Sequence, residues 1–115
     1  MLFRSIEGQI EGGVSQGVGQ ALSEEIVYDD GRVLNPNLTD YKMPTALDMP
    51  RVESILVQHP SQVGPYGAKG VGEPPNMEPP AAVANAVASA TGLRVTSLPI
   101  TAEKIALGLV DQALD

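Results

Sequence analysis

The chain has 115 residues, of which 43% are hydrophobic and 3% aromatic, and it carries a formal net charge of −7 with a pI near 4.5. This length corresponds to one domain at most, and the acidic balance argues against a nucleic-acid partner, whose phosphates would be repelled. The absence of cysteine excludes disulfides, thiolate metal sites and a cysteine nucleophile. Because the sequence shows no membrane-spanning run and no signal peptide, we expect a soluble, cytoplasmic chain without membrane contact.

Residues 5–26 show a helical pattern that is interrupted by glycines. Apolar residues recur at every fourth position, which favours one face of a helix: Ile6, Ile10, Val14, Val18 and Leu22. Because each glycine costs about 1 kcal/mol relative to alanine, we expect no stable helix here in isolation. Glycines kept at that cost allow a close approach, either by a neighbouring element of the protein or by a ligand.

The middle of the chain predicts a hairpin, a loop and a strand. Residues 26–28 and 32–34 flank an Asp-Asp-Gly turn and predict a β-hairpin. Three prolines interrupt residues 35–50, which we expect to form an ordered, extended loop. Residues 51–59 alternate as a strand does but carry apolar residues on both faces, which is typical of a buried strand.

Two further helices are predicted in the C-terminal third. The first spans residues 76–91, with prolines tolerated in its first turn and a glycine as its stop. A short strand at residues 93–99 follows. The last helix begins after Thr101, whose hydroxyl is the expected N-cap. The predicted fold class is therefore α+β, a small mixed segment with helices around a short sheet and long ordered loops, in one unit over residues 1–115.

The glycines fit neither of the common nucleotide-binding fingerprints. A dinucleotide-binding loop would need a third glycine where Leu22 or Pro75 stands, and a phosphate-binding loop would need Ser or Thr after Lys69, where Gly70 follows. His59 is the only histidine, and without a cysteine or a second histidine it is a poor metal ligand. We therefore expect His59 at the surface.

The stretch GPYGAKGVGEPP, residues 64–75, places Glu73 between deformable glycines and two prolines. Pro74 and Pro75 have no N–H group to offer its carboxylate. A carboxylate that lacks donors and is partly desolvated binds a proton more readily, as a general base near neutral pH must. From these residues alone, Glu73 is either such a base or a solvated loop glutamate.

Three segments taken together resemble a known family. IEGQIEGGVSQGVGQAL, LNPNLTDYKMPTALDMP and GPYGAKGVGEPP have the order and spacing found in the C-terminal part of the large subunit of molybdenum hydroxylases, the xanthine dehydrogenase and aldehyde oxidase family. The resemblance covers residues 6–110 and leaves out the opening MLFRS. Since that large subunit is several times longer, the chain resembles a fragment, or a separately encoded tail, of its molybdopterin-binding domain.

The resemblance implies roles for three residues. Glu73 matches the active-site base, which takes a proton from a Mo–OH group. Gln9 matches a glutamine that hydrogen-bonds the molybdopterin, and Val71 matches a backbone contact to the same cofactor. The pterin dithiolene holds the molybdenum, so no residue of this chain is an expected metal ligand. The implied reaction hydroxylates an aldehyde or an N-heterocycle with oxygen from water.

The resemblance also implies cofactors and partners beyond this chain. The molybdopterin, with the cytosine dinucleotide form as the expected one, would be enclosed by the rest of the large subunit. Electrons would leave through Fe-S clusters and FAD on other domains or subunits, and the substrate would be a small molecule. The isolated chain is expected to be inactive and to self-associate. Two alternatives are a non-catalytic, truncated or stand-alone α/β module that binds a partner subunit, and an unrelated acidic ligand-binding domain.

Overall fold

A computed structural model describes residues 2–114; Met1, and Asp115 at the end of the predicted last helix, lie outside the described residues. The elements in chain order are α1 (Leu2–Leu22), β1 (Tyr28–Asp29), β2 (Arg32–Val33), a 3-10 turn (Pro65–Gly67), α2 (Pro74–Met77), α3 (Pro79–Thr91) and α4 (Ala102–Leu114). The predicted α+β class, with helices, a short sheet and long loops, is confirmed. Within residues 2–114, no helix combines the length and the hydropathy that a membrane span requires.

Helix α1 is continuous despite its glycines, because two of them face another helix. A Cβ atom at Gly13 would lie 2.7 Å from Cβ of Pro75, and one at Gly17 would lie 2.9 Å from the carbonyl oxygen of Asn76. Helix α2 and the start of α3 therefore rest directly on the backbone of α1. A Cβ atom at Gly12, by contrast, would meet open space. Close packing against a neighbouring element is thus confirmed, and the behaviour of α1 in isolation stays a prediction.

The predicted hairpin is present, with shorter strands than the sequence indicated. Strands β1 and β2 pair antiparallel, with Tyr28 opposite Val33. Asp30 and Gly31 form the turn, and both have positive φ angles, +45° and +79°. Two consecutive residues of positive φ give the turn whose twist matches that of the flanking strands, and Asp-Gly is a favoured sequence for it.

Two predicted strands are wrong. Residues 51–59 and residues 93–99 both run without regular secondary structure. Residues 51–59 keep the alternation but not the burial, since the side chains of Ile55 and Val57 are 82% and 86% exposed. The physical reason is the lack of a neighbouring strand among residues 2–114, because a strand exists only where a partner pairs with its backbone.

The predicted C-terminal helices are both present, although the first is split into α2 and α3. Pro79 and Pro80 occupy the first turn of α3, and Gly92 ends it in the left-handed conformation, with φ +76°. The hydroxyl oxygen of Thr101 accepts a hydrogen bond of 3.2 Å from the N–H of Lys104. This is the predicted N-cap of α4.

The core of the described chain is small. Ala21 and Ile100 are buried apolar side chains of this core, and the N–H of Ile100 donates to the carbonyl of Ala21 at 2.6 Å. The Cα radius of gyration is 17.8 Å, whereas a compact domain of similar length has about 13 Å. Much apolar surface therefore lies in solvent.

We expect Gly17→Ala to destabilise the chain and Gly12→Ala to stabilise it. At position 17 the methyl group would overlap Pro79 and Asn76, and overpacking of this kind costs about 1–3 kcal/mol. At position 12 the methyl group meets open space, and alanine gains about 0.5–1 kcal/mol over glycine within a helix. Urea unfolding followed by far-ultraviolet circular dichroism gives the free energies. Equal midpoints for the two variants would contradict the close contact.

We also expect the isolated chain to self-associate, because large apolar side chains lie in solvent. Leu47 and Val63 are each 97% exposed. Sedimentation velocity over a concentration series should show the average mass rising with concentration, and Leu47→Asp with Val63→Asp should reduce that rise. A monomer at every concentration would count against this expectation.

Candidate functional site

The structure brings a polar residue of α1 against the glycine-rich loop, which we define as residues 64–75. A Cβ atom at Gly72 would lie 3.1 Å from Oε1 of Gln9, so the amide of Gln9 and the loop backbone are neighbours. Val71 precedes Gly72 in the chain and Glu73 follows it. The three residues that the sequence singled out therefore belong to one neighbourhood, although Gln9 is distant from the other two in sequence.

The first half of the glycine-rich loop is held by a compact turn. The N–H of Gly67 donates to the carbonyl of Gly64 at 3.1 Å, and the N–H of Ser61 donates to the carbonyl of Gly67 at 3.0 Å. Tyr66, at the centre of the turn, has a φ of +53°. This left-handed conformation costs a residue with a side chain about 1 kcal/mol or more, so the surrounding bonds must hold it.

An apolar groove of about 410 Å³ lies between α1 and the glycine-rich loop. Ile10 and Val14 line it from α1, and the half-buried Val71 lines it from the loop. Its remaining lining residues are Gly70, Pro74, Pro75, Glu78 and Pro79. Neither Gln9 nor Glu73 lines this groove. Of the predicted site residues, Val71 therefore lines this groove.

Glu73 lies at the surface, at the start of α2. Its carbonyl accepts a hydrogen bond of 3.0 Å from the N–H of Asn76, while its carboxylate makes no capping hydrogen bond to the helix. The absence of a cap agrees with Pro74 and Pro75, which have no N–H groups. The side chain is exposed, so the partial desolvation that suits a base is not provided by residues 2–114. Such an uncapped carboxylate can accept a proton from a ligand that lies along the loop.

A second polar cluster surrounds Tyr41, and sequence analysis missed it. The hydroxyl of Tyr41 donates to Oε2 of Glu24 at 2.6 Å, and the pair shares a cavity of about 430 Å³ with Gln16, Gln20 and Asn76. The hydrogen bond to Glu24, together with burial and the carboxylate charge, raises the pKa of Tyr41 above its ordinary value. Oδ1 of Asn76 is buried without a hydrogen-bond partner in the described chain. No periodicity or motif connects these residues in the sequence.

Metal-binding geometry is not found in the part of the chain that the structure describes. No group of three or more His, Cys, Asp or Glu side chains among residues 2–114 is placed to hold a metal ion. His59 is exposed, as expected. A more voluminous cavity, about 550 Å³, is lined by residues such as Val18, Leu22 and Pro44, and it includes none of the predicted site residues.

Known proteins match both the sequence and the fold. Residues 4–50 match the molybdopterin cofactor-binding domain family. The chain is 46% identical over 101 residues to the xanthine dehydrogenase molybdenum-binding subunit of Escherichia coli O157:H7, covering 86% of this chain and 13% of that subunit. It is 42% identical over 100 residues to an aldehyde oxidoreductase of Megalodesulfovibrio gigas, covering 86% of this chain and 11% of that protein.

A solved structure confirms the fold. Quinoline 2-oxidoreductase from Pseudomonas putida 86 superposes with a TM-score of 0.84 at 39% identity, over 92% of this chain and 14% of that one. The expectation that the chain has the fold of a molybdopterin-binding domain segment is therefore confirmed. The chain spans only a small part of the length of each of these three relatives.

We expect Glu24→Gln to lower the pKa of Tyr41, because the neutral amide removes the charged acceptor. Since the pKa of Tyr41 is raised in the folded state, its hydrogen bond stabilises the fold below the ordinary tyrosine pKa of about 10. That stabilisation is lost as the pH rises through the folded-state value. Titration of phenolate absorbance in the wild type and in Glu24→Gln, each compared with Tyr41→Phe, isolates the Tyr41 transition. An unchanged transition in Glu24→Gln would contradict the bond.

Proposed function

Because the chain belongs to the xanthine dehydrogenase and aldehyde oxidase family, in which it matches a short segment of the molybdenum-binding large subunit, we propose that it contributes the general base of a molybdenum hydroxylase. Residues 1–115 would form one unit of the C-terminal part of the molybdopterin-binding domain. The observation that carries the proposal is that Oε1 of Gln9 lies 3.1 Å from where a Cβ atom at Gly72 would stand, next to Glu73.

The surroundings of Gln9 and Gly72 fit one edge of a molybdopterin. A primary amide both donates and accepts hydrogen bonds, and a pterin ring offers acceptors and donors along its edge. Gly70 and Gly72 carry no side chains, and a Cβ atom at Gly70 would meet nothing within 4 Å, so a flat ligand can approach the backbone. We propose that Gln9 and the main chain of Val71 hold this edge. When bound, the cofactor supplies molybdenum as the two-electron acceptor.

Glu73 is the proposed proton acceptor. Its carboxylate follows a deformable loop, precedes two prolines and has no capping hydrogen bond, so both oxygens are available to a ligand. Glu73 would accept the proton released when water-derived oxygen becomes the nucleophile, and would later return it to water. Its exposure in residues 2–114 requires that the rest of the large subunit excludes water from it. Removal of water strengthens the interaction of its charge with the reacting atoms.

The proposed reaction is the hydroxylation of an aldehyde or an N-heterocycle. Its support is that the relatives include an aldehyde oxidoreductase and a quinoline 2-oxidoreductase, which also overlap this chain along most of its length. Electrons are proposed to pass to Fe-S and FAD partners on other domains or subunits, and the pterin is proposed to be the cytosine dinucleotide form. The proposed compartment is the cytoplasm, whose reducing conditions agree with a chain without cysteine.

The small core favours a second candidate function. With Ala21 and Ile100 as the buried apolar side chains, the described residues could instead serve as a non-catalytic module whose exposed apolar surface binds a partner subunit. The two candidates differ in one measurable respect. Only the first requires molybdenum and substrate oxidation when the remainder of a large subunit is present.

Glu73→Gln in the complete enzyme should lower the turnover rate by about 10²–10⁴, which is the usual contribution of a general base. Glutamine keeps the size of the side chain but cannot accept the proton. Molybdenum content and folding should stay near the wild-type level, because Glu73 is not a proposed ligand. Steady-state kinetics and metal analysis on the same preparation test this. A rate within a fewfold of wild type at full molybdenum content would overturn the assignment.

Gln9→Ala provides the contrasting variant, since Gln9 is proposed to hold the cofactor and not to transfer the proton. We expect a lower molybdopterin content per subunit, with a smaller rate loss per bound molybdenum than in Glu73→Gln. Extraction and fluorescence of the oxidised pterin measure the occupancy without reference to activity. Full occupancy with a rate loss as large as that of Glu73→Gln would contradict the division of roles.

A further inference from the structure

Glu73 has a backbone conformation that its position before a proline does not favour. Its φ and ψ angles are −73° and −43°, in the right-handed helical region. The ring of a proline collides with the backbone of the residue before it, and so directs that residue toward an extended conformation. Local sequence alone would therefore turn Glu73 out of the helix, and a contact elsewhere must hold it there.

The backbone of α1 provides such a contact, at Gly13. A Cβ atom at Gly13 would lie 2.7 Å from Cβ of Pro75, 3.1 Å from the carbonyl carbon of Pro75 and 3.2 Å from the nitrogen of Asn76. Two of these three atoms belong to the backbone, so no side-chain rotation could relieve the overlap. Gly13 thus admits the first turn of α2 to a position that any side chain would deny it.

The same arrangement recurs one turn further along α1. Glu78 also precedes a proline and is also helical, with φ −79° and ψ −39°. The proline that follows it, Pro79, rests on Gly17, where a Cβ atom would lie 2.8 Å from Cβ of Pro79. Gly13 and Gly17 are four residues apart and so share a face of α1. In both places a glycine of α1 seats the proline that follows a helical glutamate.

Contacts with α1 lie on both sides of Glu73 in the chain. On one side, the carbonyl of Glu73 accepts a hydrogen bond of 3.0 Å from the N–H of Asn76, the residue that rests against Gly13. On the other side, a Cβ atom at Gly72 would lie 3.1 Å from Oε1 of Gln9. Because Gln9 and Gly13 are also four residues apart, one face of α1 determines where Glu73 is placed.

We propose that Gly13 is a positioning residue for the reaction: by seating Pro75 on the backbone of α1, it keeps Glu73 in the helical conformation in which its carboxylate accepts the proton. This role rests on the proposed function, in which Glu73 is the base. A methyl group at position 13 must push Pro75 outward, and a misplacement of about 1 Å at a reacting group can lower a rate by about 10²-fold.

Gly13→Ala in the complete, molybdenum-containing enzyme tests this role through a double-mutant cycle. At wild-type molybdenum content we expect turnover to fall by on the order of 10- to 100-fold. Because Gly13 acts through Glu73, the same change should cost nothing further in a Glu73→Gln enzyme. Losses that multiply in the double variant would overturn the inference.

Gly108→Ala is the matched control, because it crowds a different helix. A Cβ atom at Gly108 would lie 2.5 Å from Cδ2 of Leu93, and neither residue belongs to α1 or α2. Any loss of turnover that Gly108→Ala causes should persist in the Glu73→Gln enzyme. If Glu73→Gln masked that loss as well, the cycle would report general destabilisation and would contradict a specific role of Gly13.

Hydrogen–deuterium exchange at Asn76 gives a readout without catalysis, on the complete subunit with or without molybdenum. Within residues 74–78 the first amide hydrogen is that of Asn76, since prolines have none, and it is bonded to the carbonyl of Glu73. We expect Gly13→Ala to speed exchange in this peptide by on the order of 10-fold, and Gly108→Ala to leave it unchanged. Unchanged exchange in Gly13→Ala would overturn the inference.

Pro74→Ala should partly rescue Gly13→Ala, because alanine does not direct the residue before it toward an extended backbone. In the double variant, exchange at Asn76 should slow again and turnover should rise severalfold above that of Gly13→Ala alone. A purely structural defect at Gly13 would not be relieved by a change at Pro74. The absence of both recoveries would therefore overturn the inference.

Pro75→Gly tests the same contact if Gly13→Ala yields no folded subunit. This change adds no atom to α1 and removes the Cβ atom that rests on Gly13. We expect faster exchange at Asn76 and no additional loss of turnover when Pro75→Gly is combined with Glu73→Gln. Wild-type exchange in Pro75→Gly would overturn the inference.

The outcomes separate this inference from the proposed function. If Glu73→Gln lowers turnover as expected while Gly13→Ala changes neither turnover nor exchange at Asn76, the inference fails and the proposed function stands. If Glu73→Gln has no effect on turnover, the proposed function fails. Faster exchange at Asn76 in Gly13→Ala would then still support the part of the inference in which Gly13 holds Glu73 helical.

Discussion

The contact between the glycine backbone of α1 and the prolines of α2 and α3 determines the rest of the arrangement. Gly13 and Gly17 let Pro75 and Pro79 approach to distances that a methyl group would prevent. Because Pro75 closes the glycine-rich loop, this contact also fixes where the loop runs. It leaves the loop backbone at Gly72 beside Gln9, one turn of α1 before Gly13. The residues that make the fold and those of the candidate site are therefore interleaved on a single helix.

Features that depend on neighbouring residues were predictable from the sequence. The stop of α3 at Gly92, the cap of α4 at Thr101 and the Asp-Gly turn of the hairpin each follow from the conformation of a few consecutive residues. Features that depend on distant partners were not predictable from the sequence. The strands at residues 51–59 and 93–99 were wrong because pairing is decided by segments elsewhere. Alternation along the chain gives the faces of a strand but not the presence of a neighbour.

The candidate site also has features that the sequence could predict and features that it could not. Family resemblance singled out Glu73, Gln9 and Val71, and local chemistry explained why the carboxylate of Glu73 has no backbone donors. The proximity of Gln9 to Gly72 required the structure, since it results from the packing of two helices. The hydrogen bond between Tyr41 and Glu24 also joins residues that no sequence pattern connects. The carboxylate of Glu73 is exposed in the described chain, so the fold of residues 2–114 does not supply the desolvation that the proposed base requires.

The order in which the chain is synthesised gives the α1 contact a further consequence. Gly17 leaves the ribosome before Asn76 and Pro79, the residues that cover it. At about 5–20 residues per second, the 59 residues from Val18 to Asn76 (76 − 17) take roughly 3–12 s to translate. During that interval neither Asn76 nor Pro79 has been synthesised, so neither can cover the glycine face of α1. The packing of α2 and the start of α3 on α1 therefore forms only after Pro79 has been synthesised.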